Sequence, residues 1–226
     1  MQIIWDLLMN VKYEPEKYID SPNLDNLFLF LSGIIMYHWY LNDEGVASLP
    51  GFREYICTKY KDPGLGYGYM QIIRMYADDD KKAFYHFYEL LEEFVEIKGS
   101  SYVPFESQES LEKGYNSAQE SLWVLLNETH EKWNIFLGRK SLAGLKIFLN
   151  GAKSYCEMIE NKKLKILPGF DKYVAERFEV KNEMDFFYVI EENSSDCAYA
   201  FDCFYELMFD YMKIMGDEYK PISGIW

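Results

Sequence analysis

Histidine is the side chain best suited to acid–base or metal chemistry near neutral pH, and this chain of 226 residues has three: His38, His86 and His130. His86 lies three residues before Glu89, a spacing that places both side chains on one helix face, where they could contact a metal ion. A di-metal carboxylate bundle needs two Glu-x-x-His motifs and two further glutamates, and the sequence lacks that set. We therefore predict no metal ion and no cofactor.

Glycines at positions 64, 66 and 68 could suggest a phosphate-binding loop. Their spacing does not fit the dinucleotide fingerprint, and no Gly-Lys-Ser sequence follows them. The chain also lacks the Gly-x-Ser-x-Gly motif of α/β-hydrolases. We predict a loop at these glycines, no catalytic residues and a protein that is not an enzyme. A small-molecule binder or an unfamiliar enzyme stays open as a third class, because ordinary folds host many chemistries.

Three successive aspartates, residues 78–80, precede an apolar pattern of helical period. Carboxylates are favoured at a helix N-terminus by the helix dipole, so capping and solvation alone could account for them. Alternatively, they could form a docking surface, with nearby tyrosines as the aromatic anchors that interfaces favour. On that second interpretation we predict a partner-binding surface that contains Asp78, Asp79, Asp80, Glu92, Glu93, Tyr67 and Tyr69.

The elements that would position these residues occur twice in the sequence. Leu49-Pro50-Gly51-Phe52 recurs 118 residues later as Leu167-Pro168-Gly169-Phe170. The same offset pairs Phe30 with Phe148 and Gly33 with Gly151, and an offset of 117 pairs residues 87–90 with 204–207. Apolar residues in both copies recur at helical spacing. We predict an all-α chain of two tandem pseudo-repeats, each of about five helices, packed against one another.

The domain boundaries follow from the same alignment. We assign residues 1–98 to the first helical repeat, 99–116 to a linker, 117–216 to the second repeat and 217–226 to a C-terminal tail. A mid-helix glycine costs about 1 kcal/mol relative to alanine. Its presence at both Gly33 and Gly151 therefore predicts close approach of another backbone.

Two pairs of opposite charges also match between the copies. Glu89 corresponds to Glu206, and Lys59 corresponds to Arg177. Each glutamate lies within an aromatic helical segment, where an unpaired carboxylate would be costly to bury. We predict the structural ion pairs Glu89–Lys59 and Glu206–Arg177.

Composition limits the class of protein. A net charge of −14 at pH 7 argues against binding nucleic acid through phosphates, which needs a basic surface. The four cysteines do not correspond between the copies, which favours reduced thiols in the cytoplasm over a disulfide framework. Residues 24–41 are apolar enough to suggest a membrane span. Their counterpart, residues 142–159, contains Lys146, Lys153 and Glu157, so we predict a buried central helix and no membrane association.

The second copy resembles a known group of sequences. Leu137-Gly138, Ser141-Leu142, Leu145, Phe148 and Gly151 precede Pro168, Phe170 and an Ala200-Phe201-x-x-Phe204 helix. This pattern is similar to one in small bacterial proteins that serve as immunity proteins of polymorphic toxin systems. The first copy departs at its opening, where Tyr18-Ile19-Asp20-Ser21 replaces residues 136–139.

The resemblance implies a cytoplasmic, non-catalytic inhibitor that binds a cognate bacterial toxin. A nuclease toxin with a basic active site would suit the acidic surface. The resemblance offers no catalytic residue, and it leaves open a monomer or a homodimer. A helical adaptor or dimerising scaffold without inhibitory role remains the alternative.

Overall fold

The computed structural model describes residues 2–42, 44–61, 68–109, 118–180 and 184–225, and it is mostly helical, which confirms the predicted helical class. The helices within these ranges are α1 (Gln2–Tyr13), α2 (Pro15–Ile19), α3 (Leu24–Asn42), α4 (Phe52–Lys59), α5 (Tyr69–Met75), α6 (Asp80–Lys98), α7 (Ala118–Glu131), α8 (Trp133–Phe136), α9 (Leu142–Glu160), α10 (Phe170–Arg177), α11 (Phe186–Glu192) and α12 (Cys197–Met215). The same ranges contain four short strands, which the sequence did not predict: β1 (Glu44–Ser48), β2 (Phe105–Glu109), β3 (Lys163–Ile166) and β4 (Ile222–Ile225).

Helices α3 and α9 pack against each other at the centre of the molecule. A Cβ atom added to Gly33 would lie 1.9 Å from the carbonyl oxygen of Phe148, and one added to Gly151 would lie 2.0 Å from that of Phe30. Only glycine permits such backbone contact. The predicted close approach is therefore confirmed, and the backbone it meets in each case is that of the partner helix.

The apolar stripe of α3 is buried, as the sequence predicted for this helix. Leu24, Phe30 and Ile34 are fully inaccessible to solvent. Within the described ranges, no helix combines the length and the apolar character that a bilayer crossing requires.

Two antiparallel strand pairs lie beside the helices. Strand β1 pairs with β2, with Ser48 opposite Phe105, and β3 pairs with β4, with Ile166 opposite Ile222. Strand β2 lies in the segment assigned to the linker, and β4 lies in the segment assigned to the tail. Each pairing joins residues more than 50 positions apart, so local sequence patterns carried no signal for it.

Several contacts occur at matching positions in the two halves. The Leu49 N–H donates to the Pro104 carbonyl (2.7 Å), and the Leu167 N–H donates to that of Pro221 (2.6 Å). The Tyr88 hydroxyl donates to the Leu8 carbonyl at 2.9 Å, and the Tyr205 hydroxyl donates to the Leu126 carbonyl at 2.8 Å. The two tyrosine hydrogen bonds hold α6 against α1 and α12 against α7.

Candidate functional site

The three aspartates predicted to bind a partner lie at the N-terminus of α6. Asp79 is the N-cap, and its carboxylate accepts the Lys82 backbone N–H at 2.7 Å. Asp78 pairs with the Lys82 ammonium at 2.5 Å, which holds the pKa of the Asp78 carboxyl below its ordinary value. Asp80 accepts the amide of Asn23 at 3.2 Å and lies 4.0 Å from the Arg74 guanidinium. All three carboxylates thus have structural partners within the chain.

The predicted surface continues along α6, where its two glutamates also pair with lysines. Glu92 forms an ion pair with Lys12, and Glu93 forms one with Lys59. The Lys59 ammonium lowers the pKa of the Glu93 carboxyl. Because the carboxylate of each pair is exposed, we expect each pair to contribute little to stability.

These contacts correct the predicted pair Glu89–Lys59. Lys59 binds Glu93, one helical turn beyond Glu89, while Glu89 is exposed and accepts a hydrogen bond from His86 Nδ1 at 3.0 Å. Glu89 lies on the face of α6 opposite Phe84, Phe87 and Leu91, so its carboxylate reaches water and needs no buried partner.

The predicted pair Glu206–Arg177 is also wrong. Both residues are exposed, and no ion pair joins them in the described part of the chain. The helical period of α12 buries Phe204, Tyr205 and Met208 and turns Glu206 outward. An aromatic setting in the sequence was therefore a poor guide to burial of the intervening carboxylate.

The two predicted tyrosine anchors have different outcomes. Tyr69 lies partly buried against Phe52, with 5.4 Å between ring centroids, and burial raises its pKa to about 12. It therefore packs against the core and is not an exposed anchor. Tyr67 lies outside the described residues. Tyr76 and Tyr85 are exposed, with 56% and 37% of their surface accessible.

Exposed tyrosines and the aspartates border a groove of about 510 Å³ at the start of α6. Its lining comprises Tyr76, Ala77, Asp78, Asp79, Lys81, Lys82, Tyr85, His86 and Glu89. We call this the α6 groove. It brings together two of the predicted carboxylates with two tyrosines, but it does not include Asp80, Glu92 or Glu93.

A short hydrogen-bonded network lies at the inner end of the α6 groove. His86 Nε2 contacts the Tyr60 hydroxyl and His86 Nδ1 contacts Glu89. A neutral imidazole with its proton on Nδ1 satisfies both contacts, because it donates to Glu89 and accepts from Tyr60. Tyr60 also stacks on Tyr76 at 4.1 Å between centroids. Both ring nitrogens of His86 therefore have partners, and the network joins α6 to the stacked rings of Tyr60 and Tyr76.

His38, another of the three histidines, lies between the central helices. The His38 Nδ1 atom is 2.6 Å from the Tyr155 hydroxyl, and both side chains are buried. Burial raises the pKa of the neighbouring Cys156 thiol to about 11. Among the described residues, no group of three or more His, Cys, Asp or Glu side chains could hold a metal ion.

The residues behind the immunity-protein resemblance lie at the start of α9 and in its packing face. Ser141 is the N-cap, and its hydroxyl accepts the Gly144 N–H at 3.0 Å. Gly138 adopts φ +73°, in the left-handed region that favours glycine. Leu142, Leu145 and Phe148 are fully buried. The motif therefore specifies a helix start and its core contacts.

One feature of the surface was missed by the sequence reasoning. A cleft of about 640 Å³ lies between α1–α2 and the C-terminal half of α9, and four lysines line it: Lys17, Lys153, Lys162 and Lys163. We call this the lysine cleft. The 118-residue offset offered one signal, a change from apolar to polar residues, because the residues matching 153, 154 and 157 are Ile35, Met36 and Trp39.

Comparison of the chain with protein-family models, curated proteins and solved structures gave no match.

Proposed function

We propose that this chain is a cytoplasmic, non-catalytic inhibitor of the immunity type, which binds a cognate bacterial toxin in a stoichiometric complex. The observation that carries the proposal is the resemblance of residues 137–207 to immunity proteins, since that motif alone points to a class of partner. The net charge of −14 adds electrostatic attraction to a basic partner such as a nuclease.

We place the toxin contact at the α6 groove. Its exposed rings, Tyr76 and Tyr85, offer the aromatic anchors that interface centres favour. Asp78 and Glu89 flank those rings and supply negative charge. The stacking of Tyr60 on Tyr76 holds one anchor in place before binding, which reduces the entropy lost on association.

We infer further that the chain is one structural unit present twice in tandem. Support comes from the constant sequence offset and from contacts at matching positions, such as Gly33 against Phe148 and Gly151 against Phe30. A pseudo-two-fold axis between α3 and α9 would relate the two contacts. The departures between the halves then mark surfaces that have specialised.

Co-expression with a candidate toxin from a neighbouring gene tests the proposed function. We expect cells that produce the toxin alone to die and cells that also produce this protein to survive. A purified mixture is expected to form a complex whose inhibition saturates at one equivalent. Survival of cells with the toxin alone, or death despite this protein, would contradict the proposal.

The contact surface needs variants that spare the fold. Asp79 caps α6, so its loss would confound binding with stability. The pair Tyr85→Ala and Glu89→Gln leaves the cap intact and removes an anchor and a charge. The matched control is Tyr199→Ala with Glu206→Gln on α12, where both residues are also exposed. We expect only the first pair to lose protection, by about tenfold or more in affinity. Equal affinity of the two pairs would move the toxin contact elsewhere.

A helical adaptor or dimerising scaffold is the second candidate. Ile97 and Ile214, at matching positions near the ends of α6 and α12, are 65% and 69% exposed, and exposed apolar side chains can serve an interface. Sedimentation of the purified chain separates the two candidates. A stable homodimer that Ile97→Ser with Ile214→Ser dissociates, together with no toxin complex, would favour the scaffold.

A further inference from the structure

The lysine cleft is set between the two halves of the chain. Leu7 of α1 and residues 17 and 18 of α2 form one wall, and the C-terminal half of α9 forms the other. Lys162 lies between α9 and β3, and Lys163 is the first residue of β3. The cleft thus concentrates four cations on a protein whose net charge is −14.

Packing does not require this polar lining. At the matching offset, Lys153, Ser154 and Glu157 correspond to Ile35, Met36 and Trp39 on α3. Met36 and Trp39 are partly buried and pack against the core. The matching positions of α3 therefore hold apolar side chains, while those of α9 hold polar and charged side chains that line the cleft.

Glu157 organises the cations at the floor of the lysine cleft. Its carboxylate accepts the Leu164 N–H at 2.7 Å and pairs with Lys153 at 2.9 Å and Lys163 at 3.1 Å. Burial alone raises the pKa of this carboxyl, but the Leu164 N–H and the two ammonium groups outweigh burial and leave it lowered. One carboxylate thus holds two of the lysines in place, while Lys17 pairs with Glu14 at 2.8 Å and Lys162 lies 4.0 Å from Glu160.

We propose that the lysine cleft binds a small organic phosphate of about nucleotide size. Lysine is a common phosphate ligand that acts as a point charge, and Asn150, Ser154 and Asn161 add neutral hydrogen-bonding groups. Leu7, Tyr18 and Met158 supply an apolar wall for the organic part. The volume of about 640 Å³ falls within the range typical of ligand sites. This site is distinct from the α6 groove, so the proposal does not rest on toxin inhibition.

Isothermal titration calorimetry with ATP as the probe tests the proposal on the full chain. We expect saturable binding to the wild-type protein and none with uncharged adenosine. The variant Lys17→Gln with Lys163→Gln removes two lysines whose side chains are 62% and 80% exposed, so folding should be preserved. Its affinity for ATP is expected to fall about tenfold.

Two further variants distinguish binding in the lysine cleft from general attraction of ATP to surface lysines. Lys172→Gln with Lys213→Gln changes the net charge equally at exposed lysines outside the cleft, and we expect wild-type affinity. Ser154→Met, the residue at the matching position in α3, leaves the charge unchanged but fills the cleft, and it should abolish binding. The proposal would be overturned if ATP did not bind saturably or if both double lysine variants lost the same affinity for ATP. Wild-type affinity of Ser154→Met for ATP would also overturn it. Sodium pyrophosphate binding as tightly as ATP would overturn its organic part.

Discussion

At the scale of single residues, the packing at the centre of the molecule depends on two glycines, because a side chain at either position would collide with the facing helix. Gly33 and Gly151 let the backbones of α3 and α9 touch. Backbone atoms cannot move aside as a flexible side chain can, because their hydrogen bonds hold each helix together. An added methyl group must therefore push the two helices apart and open the surrounding core.

We predict that Gly33→Ala and Gly151→Ala each lower the free energy of unfolding by on the order of 3 kcal/mol or more. Gly144→Ala, on the same helix α9, is the matched control. Its added Cβ would lie 3.3 Å from the Ser141 side chain, and alanine gains about 1 kcal/mol in helix propensity. Chemical denaturation measures all three. Equal stabilities for Gly144→Ala and Gly151→Ala would contradict the close contact.

The Cys156 thiol makes stability depend on alkaline pH. Burial raises its folded-state pKa from 9.0 to about 11, so the unfolded chain loses this proton first. Its stabilising contribution is complete below pH 9 and is lost as the pH rises from 9 to 11. We predict that the free energy of unfolding of Cys156→Ala falls less steeply across this window than that of wild type. Parallel pH profiles would show that this thiol does not cause the slope.

At the scale of elements, helix starts follow from local sequence, whereas strand pairs do not. Asp79, Ser141 and Asp196 each accept backbone N–H groups at the first turn of a helix, as short polar side chains do. Strands β2 and β4 instead form because β1 and β3 offer unpaired backbone groups beside them. The two strand pairs thereby anchor segments that would otherwise look like a linker and a tail.

Ile222, on β4, is 3% exposed and should be a main anchor of its strand. We predict that Ile222→Ala lowers the free energy of unfolding by about 2 kcal/mol or more. The matched control Ile214→Ala removes the same atoms from a side chain that is 69% exposed, and we expect a change within about 0.5 kcal/mol. Thermal unfolding measures both variants, and an equal change in their melting temperatures relative to wild type would argue against β4 as an anchor.

At the scale of the whole molecule, the largest helix contact lies between the two halves rather than within one. Phe30 and Ile34 of α3, with Phe148 and Ala152 of α9, are buried in one continuous core. Separation of the halves would expose these apolar faces to water. The lysine cleft also depends on the assembled pair, since residues of both halves line it, whereas the α6 groove is lined by the first half alone.

We predict that residues 1–109 and 118–226, expressed separately, each lack a sharp thermal transition. An equimolar mixture should regain helical content and a cooperative transition, since association buries the faces of α3 and α9. Circular dichroism during heating measures both. Either half unfolding alone at the wild-type melting temperature would contradict a shared core.

Particular residues show how far sequence reasoning reached. The periodic stripe of α3 and the glycine pair predicted the central contact, because helical period and glycine cost are local properties. Lys59 was assigned to Glu89 but contacts Glu93. Residues four apart lie on the same helix face, so the position of α4 along α6 determines which of the two glutamates Lys59 meets. The lysine cleft depends on how α1–α2 lies against α9, which no local pattern encodes.

The sequence by itself determined the helical class, the helix caps, the buried stripes and the paired glycines, because each depends on neighbours within a few turns. Only the tertiary structure decided which carboxylates pair with which lysines, which tyrosines stay exposed, and where the grooves open. Those outcomes depend on distances between elements far apart in the chain, which are set by how the helices settle against one another.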